Sequence, residues 1–365
     1  MKDLILMKWP AHGGQPEKMY SLIGLKQDKQ VYDFSANLNP LGPPEAMKLV
    51  DPQILYTSNR YPDPDYQEAT RQISLHEGVP KHNLLATNGG AEAIFLTAQF
   101  FSNKKALILE PTFSEYRRAC SIYNLTITTL TYDEKNEFSL PMENLLSTLE
   151  TVDVVFLCRP NNPTGTMLSY ANMKQLIEHA SIHHTAVVVD EAFIHFVRSE
   201  FEDLTSLQKT YDNLILLRSL TKIFSIPGLR LGYVIAHEKI IQTLKGNQIP
   251  WSINSVVINL LPTLFKDQHF IKNTKIWLEQ QLAYLSTELR SLDFYITPSV
   301  ANFYLLKDLH QDQENLLNYL LEHGIIPRHT HTFIGLDGRY LRFAVRTEEE
   351  NYYLLHVLKM WRENR

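Results

Sequence analysis

One lysine, Lys222, stands in a segment whose neighbours would suit covalent chemistry at its amine. Ser219 and Thr221 place two hydroxyl groups beside it, and Arg230 follows on the same segment. Two hydroxyls and a guanidinium on one loop can bind a phosphate group. A sheltered lysine with a lowered pKa can form an imine at neutral pH. The segment therefore predicts an imine-forming lysine beside a phosphate site; the alternative is an ordinary surface lysine.

Two polar residues earlier in the chain extend this pattern. Asp190 follows the apolar run 186–189, which is typical of a buried strand, and a carboxylate there needs a partner. Asn162 precedes Pro163 in a sequence that is also typical of a turn. An imine-forming lysine, an aspartate for a pyridinium nitrogen and an asparagine for a ring oxygen are what pyridoxal phosphate (PLP) chemistry requires. The set predicts a PLP enzyme with Lys222 and Asp190 as catalytic residues, and a helix cap or surface pair is the alternative for Asp190.

A second phosphate-binding feature and a stacking side chain lie closer to the N-terminus. Gly90 and Ala91 open a predicted helix directly after a predicted strand, and backbone N–H groups at a helix start bind phosphate. Phe113 lies just past another strand end, where it could stack on the pyridine ring. A pair of glycines is weak evidence by itself, and an ordinary core side chain is the alternative for Phe113.

Four arginines near the C-terminus are candidates for binding anionic groups of a substrate. Arg328 and Arg342 lie on or beside apolar strand-like segments, where a guanidinium offers a fork for a carboxylate or a phosphate. Arg339 and Arg346 flank Arg342 and compete for that role. We expect at least one of the four to form a solvated salt bridge instead.

The elements that must position these residues alternate along the middle of the chain. Short apolar runs predict strands over 84–87, 106–109, 125–130, 153–158, 185–190, 213–218 and 231–235. Amphipathic stretches predict helices over 91–101, 114–122, 140–149, 170–183 and 203–211. This alternation predicts an α/β fold with a mostly parallel seven-stranded sheet covered on both faces. Because ligands gather at the carboxyl ends of such strands, we expect Asn88, Asn162, Asp190 and Ser219 to converge there.

The character of the chain changes at both ends, which predicts three parts. Residues 1–44 are rich in Gly, Pro and Asn and predict an arm that packs on the active site, on a small domain or on a partner subunit. Residues 45–265 form the predicted large PLP-binding domain. Residues 266–365 form a predicted small α+β domain, with helices over 269–292, 313–323 and 347–363 and strands over 302–306 and 341–345.

Composition excludes several other classes of function. The chain of 365 residues has a net charge of −5 and no basic stretch, which argues against nucleic acid as a partner. Its two cysteines, Cys120 and Cys158, lack metal-type spacing and suit a reducing compartment, so we expect no metal site. The apolar run within residues 1–8 is too short for a signal peptide, and no stretch is long enough to cross a bilayer. These features predict a cytoplasmic enzyme without a membrane partner.

The motifs together resemble those of the fold-type I PLP enzymes, the aspartate aminotransferase superfamily. The histidinol-phosphate aminotransferase branch is the closer match, through Arg60-Tyr61-Pro62, Asn161-Asn162-Pro163-Thr164-Gly165 and Ser219-Leu220-Thr221-Lys222. Within that branch the chain is most similar to the threonine-phosphate decarboxylases of cobalamin biosynthesis. The segments that carry this similarity are His12-Gly13-Gly14, residues 33–42, 190–194, 217–222, 226–233 and 250–254.

The resemblance implies a PLP-dependent aminotransferase fold of type I and a role for each matching residue. Lys222 would hold PLP, Asp190 would bind the pyridine nitrogen, Asn162 the phenolic oxygen, and Phe113 would stack on the ring. The cofactor phosphate would be bound by Gly90, Ala91, Ser219, Thr221 and Arg230. Tyr61 would reach the phosphate in a neighbouring subunit, which implies a homodimer with shared sites. His12, Gly13, Asn37, Asn162, Arg328 and Arg342 would contact a small phosphorylated amino acid.

Two positions bear on which reaction the resemblance implies. Phe193 stands where histidinol-phosphate aminotransferases usually carry a tyrosine, and it cannot donate a hydrogen bond to PLP, which favours decarboxylation of O-phospho-L-threonine. His195 stands where the decarboxylases are expected to carry an acidic residue, which counts against strict equivalence. The alternative is a histidinol-phosphate or related aminotransferase. A non-catalytic PLP-binding sensor domain is a third reading; such modules normally sit beside a DNA-binding segment, and we expect none from this sequence.

Overall fold

The computed structural model describes residues 9–25, 30–197 and 203–363. Within these ranges a seven-stranded sheet forms the centre of the molecule. The strands of the whole described chain, numbered along the sequence, are β1 Tyr32–Asp33, β2 Leu84–Thr87, β3 Lys105–Glu110, β4 Thr126–Thr131, β5 Val154–Cys158, β6 Ala186–Asp190, β7 Leu214–Ser219, β8 Gly232–Ile235, β9 Phe294–Ile296, β10 Phe303–Asp308, β11 Ile325–Ile326, β12 Arg328–His329 and β13 Leu341–Ala344. The apolar run within residues 1–8, weighed above as a leader, lies outside the described residues.

The α-helices of the described chain are numbered in the same way. They are α1 Pro16–Ile23, α2 Gln67–Glu77, α3 Gly89–Phe100, α4 Glu115–Ile122, α5 Met142–Leu149, α6 Tyr170–Ile182, α7 Thr205–Gln208, α8 Glu238–Asn247, α9 Ser255–Lys266, α10 Gln268–Ser291, α11 Gln313–Glu322 and α12 Glu348–Glu363. None of the helices in the described ranges is both long enough and apolar enough to span a membrane.

The central sheet has the strand order β2-β8-β7-β6-β5-β3-β4. Pairs β7–β6, β6–β5, β5–β3 and β3–β4 are parallel, whereas β8 runs antiparallel to both β7 and β2. This arrangement confirms the predicted mostly parallel α/β sheet. Parallel strands need crossover helices, which cover both faces and bury the inner strands β5, β6 and β7, whereas the edge strand β4 stays largely exposed.

The burial of β6 shows why its sequence is apolar throughout. Val187 and Val189 pack into the apolar cluster on one face of the sheet, which includes Met173 of α6. Val188 packs into the cluster on the other face, which includes Ile94 of α3. A run of valines therefore satisfies both faces, and the polar Asp190 comes only where the strand ends.

A second sheet with the order β12-β13-β10-β9 lies in the C-terminal part of the chain and is antiparallel throughout. The N-terminal arm joins this part, because Tyr32 and Asp33 of β1 pair in parallel with Ile325 and Ile326 of β11. The division at residues 44 and 265 stays a prediction.

Several local features differ from the predictions. No helix was predicted in the arm, yet α1 forms over Pro16–Ile23, begins with a proline in its first turn and buries Met19 and Tyr20. The helix predicted over 203–211 is limited to Thr205–Gln208. Helices α2 and α8 were not predicted at all.

Candidate active site

A cavity of about 500 Å³ opens at the carboxyl ends of the central strands. The floor comes from loops after β2, β5, β6 and β7, and the opposite wall comes from the arm and the C-terminal part. The sequence-predicted site residues that line it are His12, Gly13, Asn37, Gly90, Ala91, Phe113, Asn162, Asp190, Ser219, Thr221, Lys222, Arg230, Arg328 and Arg342. Their convergence follows from the sheet topology, because parallel strands bring their carboxyl ends to one edge.

Lys222 lies on the floor of this cavity, in the loop that follows β7. Its carbonyl oxygen accepts a hydrogen bond from the backbone N–H of Asn39 at 3.2 Å, which ties the lysine loop to the arm. Burial and, after it, the nearby cations Arg342 and Arg230 together lower the pKa of Lys222 to about 8, against the opposing charge of Asp190. The amine is therefore closer to its neutral, nucleophilic form at neutral pH than an exposed lysine would be.

Asp190 faces Lys222 from the end of β6 and is held by two neutral groups. The Tyr116 hydroxyl donates to Oδ2 at 2.6 Å, and the Ala192 N–H donates to Oδ1 at 2.9 Å. Burial raises the pKa of the Asp190 carboxyl, and these hydrogen bonds work in the opposite direction. A buried carboxylate held only by neutral donors is well suited to a cationic ring nitrogen.

Tyr116 was not predicted as a site residue. The one available signal is its position three residues after Phe113 at the start of α4, about one helical turn away. The two rings meet edge to face with centroids 5.9 Å apart, and Phe113 is only half-buried at the cavity wall. Phe113 can thus offer a ring to the cavity while Tyr116 orients the carboxylate beneath it.

The predicted phosphate end lies where α3 begins. Gly89 has φ of 74°, and a Cβ added there would meet Nη2 of Arg230 at 2.7 Å, so only glycine lets the guanidinium approach this backbone. The Ser219 and Thr221 hydroxyls lie 2.8 Å apart beside the same helix start. Helix N–H groups, two hydroxyls and one guanidinium form a cradle for an anion.

Asn162 is oriented by Arg342 from the opposite wall. Arg342 donates from Nη1 to Oδ1 of Asn162 at 2.6 Å and from Nη2 to the Ser35 carbonyl at 2.7 Å. Because the amide oxygen accepts this bond, the amide nitrogen is the atom that can donate to a ligand oxygen. The arginine thereby sets the polarity of the asparagine.

Arg328 and Arg342 are buried, and their partners in the described part of the chain are neutral. Arg328 donates from Nη2 to the Ala11 carbonyl at 2.7 Å and to the Thr332 hydroxyl at 2.6 Å. Burial lowers the pKa of Arg328 to about 10, and burial together with the neighbouring Arg328 charge lowers the pKa of Arg342 to about 9. Two buried guanidinium groups without carboxylate partners form a receptor for anionic groups.

The two competing arginines have different surroundings. Arg346 pairs with Glu350 at 2.9 Å, and Arg339 pairs with Glu134. Neither of them lines the cavity. The expectation that at least one of the four would be occupied by a salt bridge is confirmed.

The arm approaches the cavity through a close backbone contact. A Cβ added to Gly13 would lie 2.1 Å from the Ser35 carbonyl oxygen, so this crossing admits only glycine. Ser35 Oγ accepts from the Gly14 N–H at 2.7 Å and donates to Asp33 at 2.6 Å. These contacts hold the arm in a fixed position over the cavity.

Two arm side chains are placed to meet a ligand. Asn37 is buried in the cavity wall, and its Oδ1 has no hydrogen-bond partner among the described residues. His12 is half-exposed at the cavity mouth, with Nε2 3.3 Å from Glu115 Oε1. A buried amide oxygen without a partner can accept a hydrogen bond from a ligand, and an amino-acid amine is a suitable donor.

Phe193 and His195 lie on different sides of the strand ends. Phe193 is buried, lines the cavity and packs edge to face on Phe303 with centroids 4.8 Å apart. His195 is absent from the cavity lining and instead has Nε2 3.9 Å from Glu77 Oε1. An acidic residue at this position would face a like charge, so histidine suits the neighbourhood that Glu77 creates.

A cluster of ion pairs around the buried Arg218 does not line the cavity, although two of its members are chain neighbours of cavity residues. Arg218 donates to Glu191 at 2.8 Å and to Asp203 at 2.5 Å and also pairs with Glu77, while Arg159 donates to Glu191 at 3.3 Å. Asp190 and Ser219 face the cavity, whereas their chain neighbours Glu191 and Arg218 enter this cluster. Sequence analysis missed the cluster, because its members come from five separate segments.

Asn88, which was expected at the same strand ends, does not line the cavity, and Tyr61 lies outside it as well. Tyr61 is 83% exposed, and its ring centroid lies 5.0 Å from that of Trp251. Its predicted role at a cofactor phosphate therefore requires a second copy of the chain.

The residues of the cavity fit PLP. The cradle at the start of α3 matches a phosphate, Asp190 matches a ring nitrogen, the amide of Asn162 matches a ring oxygen, and the Lys222 amine matches the aldehyde.

Comparisons with known proteins agree with this geometry. The model of the aminotransferase class I and II family matches residues 29–358. A threonine-phosphate decarboxylase from Salmonella typhimurium is 33% identical over 351 residues, which cover 96% of this chain and 96% of that protein.

Two solved structures share the fold. Histidinol-phosphate aminotransferase from Clostridium acetobutylicum superposes with a TM-score of 0.86 at 28% identity, covering 91% of this chain and 99% of that chain. Histidinol-phosphate aminotransferase from Sinorhizobium meliloti, in complex with pyridoxal-5'-phosphate, superposes with a TM-score of 0.84 at 17% identity, covering 96% and 94%. At that identity the second likeness concerns the fold alone. The predicted type I fold is confirmed.

Proposed function

The chain belongs to the aminotransferase class I and II family and is a PLP-dependent enzyme, and from this premise we propose that it decarboxylates O-phospho-L-threonine. The product would be 1-aminopropan-2-yl phosphate, which is used in cobalamin biosynthesis. The observation that carries the proposal is Phe193, which lines the cavity where a hydroxyl donor would favour amino transfer. The likeness to the Salmonella decarboxylase supports it over nearly the whole chain.

When bound, PLP supplies an electron sink that stabilises negative charge at a substrate carbon. The residues proposed to hold it are Lys222, Asp190, Asn162, Phe113, Gly90, Ala91, Ser219, Thr221 and Arg230, with Tyr61 reaching in from a partner subunit. Asp190 would keep a proton on the ring nitrogen, and Tyr116 would keep the carboxylate aimed at it. These contacts determine how strongly the sink can act.

Lys222 would act first as the covalent anchor and then as a proton carrier. With its pKa lowered to about 8 by burial and by neighbouring cations, Nζ can lose and regain a proton near neutral pH. The loss of carbon dioxide leaves a carbon that must be protonated, and Lys222 is the cavity amine that can supply that proton. The same amine would thus bind the cofactor at the start and donate the proton at the end of the reaction.

The two anionic groups of the substrate would be bound by the opposite wall. O-Phospho-L-threonine carries a carboxylate and a phosphate, and Arg328 and Arg342 provide two buried cationic groups without acidic partners in the described chain. By fixing where these two groups lie, the arginines would orient the substrate carbon toward the cofactor and so favour carboxylate loss over proton loss. Asn37 and the arm at His12 and Gly13 would complete this wall.

The decisive experiment measures carbon dioxide. The PLP-loaded protein is incubated with O-phospho-L-threonine without any 2-oxoacid, and release of carbon dioxide with formation of 1-aminopropan-2-yl phosphate is expected. Amino transfer from histidinol phosphate to 2-oxoglutarate, without gas release from phosphothreonine, would refute the proposal.

A histidinol-phosphate or related aminotransferase is the second candidate. The observation in its favour is the 28% identity and TM-score of 0.86 to the Clostridium acetobutylicum enzyme. The variant Phe193→Tyr separates the two, because it adds a hydroxyl at the cavity wall. We expect the ratio of amino transfer to decarboxylation to rise in this variant, measured as 2-oxoacid-dependent product against carbon dioxide. An unchanged ratio would remove Phe193 as a determinant of the reaction.

A further inference from the structure

Two clusters of metal-ligating side chains lie outside the candidate active site. One consists of Glu150, His179 and His183, and the other of His76, Glu77 and His195. In each cluster the ligand atoms lie within 4.8 Å of one another, among the residues that the structure describes. Their electrostatic surroundings decide which of them could hold a cation.

The second cluster is already neutralised. Arg218 pairs with Glu77, and the Tyr233 hydroxyl donates to the other oxygen of the same carboxylate. A metal ion there would stand beside a buried guanidinium, so charge repulsion excludes it. The cluster is part of the network of ion pairs around Arg218.

The first cluster has the spacing that a transition metal requires. His179 and His183 are four residues apart at the end of α6, so their imidazoles lie on the same face of the helix. Nε2 of His179 lies 3.4 Å and Nε2 of His183 lies 3.8 Å from Oε1 of Glu150. Metal–ligand bonds of about 2.0–2.2 Å in a tetrahedron separate neighbouring ligand atoms by roughly 3.3–3.6 Å. The three side chains therefore need little movement to close around one ion.

The backbone around this cluster is fixed in advance. Glu150 directly follows α5, and the Thr185 hydroxyl just beyond α6 lies 2.7 Å from the Leu149 carbonyl and 2.8 Å from the Val152 carbonyl, so its one proton is shared between these two acceptors. Thr185 is fully buried, so these bonds hold the ends of α5 and α6 together. A site whose ligands are already placed loses little entropy when it binds an ion.

His179 supplies a second, independent observation. Its Nε2 atom is shielded from solvent and has no hydrogen-bond partner in the described chain, although it points toward Glu150. A buried ring nitrogen without a partner is uncommon and has the lone pair that a metal ion would use.

We propose that Glu150, His179 and His183 bind one divalent transition-metal ion of the Zn²⁺ class, with water completing the coordination. Two imidazoles and one carboxylate are ligands of the borderline type that such ions prefer. The ion joins the end of α5 to the end of α6, the helix that leads into β6 and so to Asp190. Its role is structural, and it lies outside the catalytic cavity. The cysteine-based expectation of no metal site did not consider histidines paired along a helix.

The test is calorimetric titration of the PLP-loaded protein with Zn²⁺ alone. We expect one site, and we expect its Kd to rise about tenfold or more in His179→Ala and again in Glu150→Gln. His184→Asn is the matched control, because His184 is the next histidine along the chain, lies outside the cluster and has a positive φ that asparagine tolerates. Zn²⁺ binding that is equally tight in the double variant His179→Ala/His183→Ala would overturn the proposal.

Thermal stability separates this site from incidental binding. Zn²⁺ should raise the Tm of the unaltered protein and of His184→Asn but not that of the double variant, because only a folded site gains stability from the ion. A Tm rise that survives in the double variant would also overturn the proposal, whereas decarboxylase activity should be the same in all these variants.

Discussion

The floor of the cavity and its opposite wall are built in different ways. The floor, with Asp190, Ser219 and Lys222, comes from loops at the ends of neighbouring parallel strands. The opposite wall, with Asn37 and Arg342, comes from segments about 300 residues apart that meet through contacts such as Arg342 to the Ser35 carbonyl. Strand topology brings the floor residues together, whereas the residues of the wall meet only through individual hydrogen bonds.

This difference suggests a division of labour. The floor has the groups that fit a cofactor common to a whole family, and the wall has the groups that fit the anionic parts of a particular substrate. Substitutions in the floor should abolish all chemistry, whereas substitutions in the wall should weaken substrate binding and leave the cofactor in place.

The largest effect is expected for Lys222→Ala on the floor. Loss of the amine should remove the near-visible absorbance band of bound PLP and reduce turnover by at least about 10²–10⁴-fold, since both anchor and proton carrier disappear. Absorbance spectra and carbon dioxide release measure the two effects. Persistence of the band would show that another residue holds PLP.

A smaller effect is expected for Arg342→Leu on the wall. A lost hydrogen bond to a charged group costs about 1.5–3 kcal/mol, so kcat/KM should fall about tenfold to a hundredfold while the PLP band remains. Arg339→Leu, which alters an arginine outside the cavity, is the control and should keep its kcat/KM. Equal losses in the two variants would contradict the assignment of Arg342 to substrate.

A still smaller effect on activity is expected for Gly13→Ala in the arm. The added methyl group would overlap the Ser35 carbonyl oxygen and push the arm away, at a cost of about 1–3 kcal/mol. KM should rise about fivefold to tenfold with little change in the PLP spectrum, which corresponds to the lower end of that cost, about 1–1.4 kcal/mol. Gly228→Ala is the control, because a Cβ there would meet nothing within 4 Å. If KM is unchanged in Gly13→Ala, the arm does not contribute to the substrate site.

The smallest expected effect is on the pKa of Lys222 on the floor, which the charge of Arg342 on the opposite wall helps to lower. Only the neutral amine of Lys222 attacks PLP, and burial with help from Arg342 and Arg230 lowers its pKa to about 8. In protein stripped of PLP, the rate of PLP capture should therefore rise with pH and level off above about 8. Arg342→Leu removes one of the cations, so its midpoint should move to higher pH. A midpoint near the usual lysine value of 10.5 in the unaltered protein would show that the amine is not sheltered.

The sequence was informative where function and local structure coincide. Asp190 and Ser219 could be predicted at strand ends because an apolar run stops where the polar residue begins. Tyr116 could not be predicted, since its bond to Asp190 spans 74 residues, and the neutral partners of Arg328 are likewise set by tertiary packing. The roles of the individual site residues and the domain boundaries stay predictions.

The parallel pairing of Tyr32 and Asp33 with Ile325 and Ile326 has one more consequence. It makes the arm an extra edge strand of the C-terminal part, while Asn39 is bonded to the backbone of Lys222 and Ile223. The segment between them, with Ser35 and Asn37, is therefore fixed at one end to the C-terminal part and at the other to the lysine loop. A substrate bound at Asn37 would lie against a segment that is held from both sides.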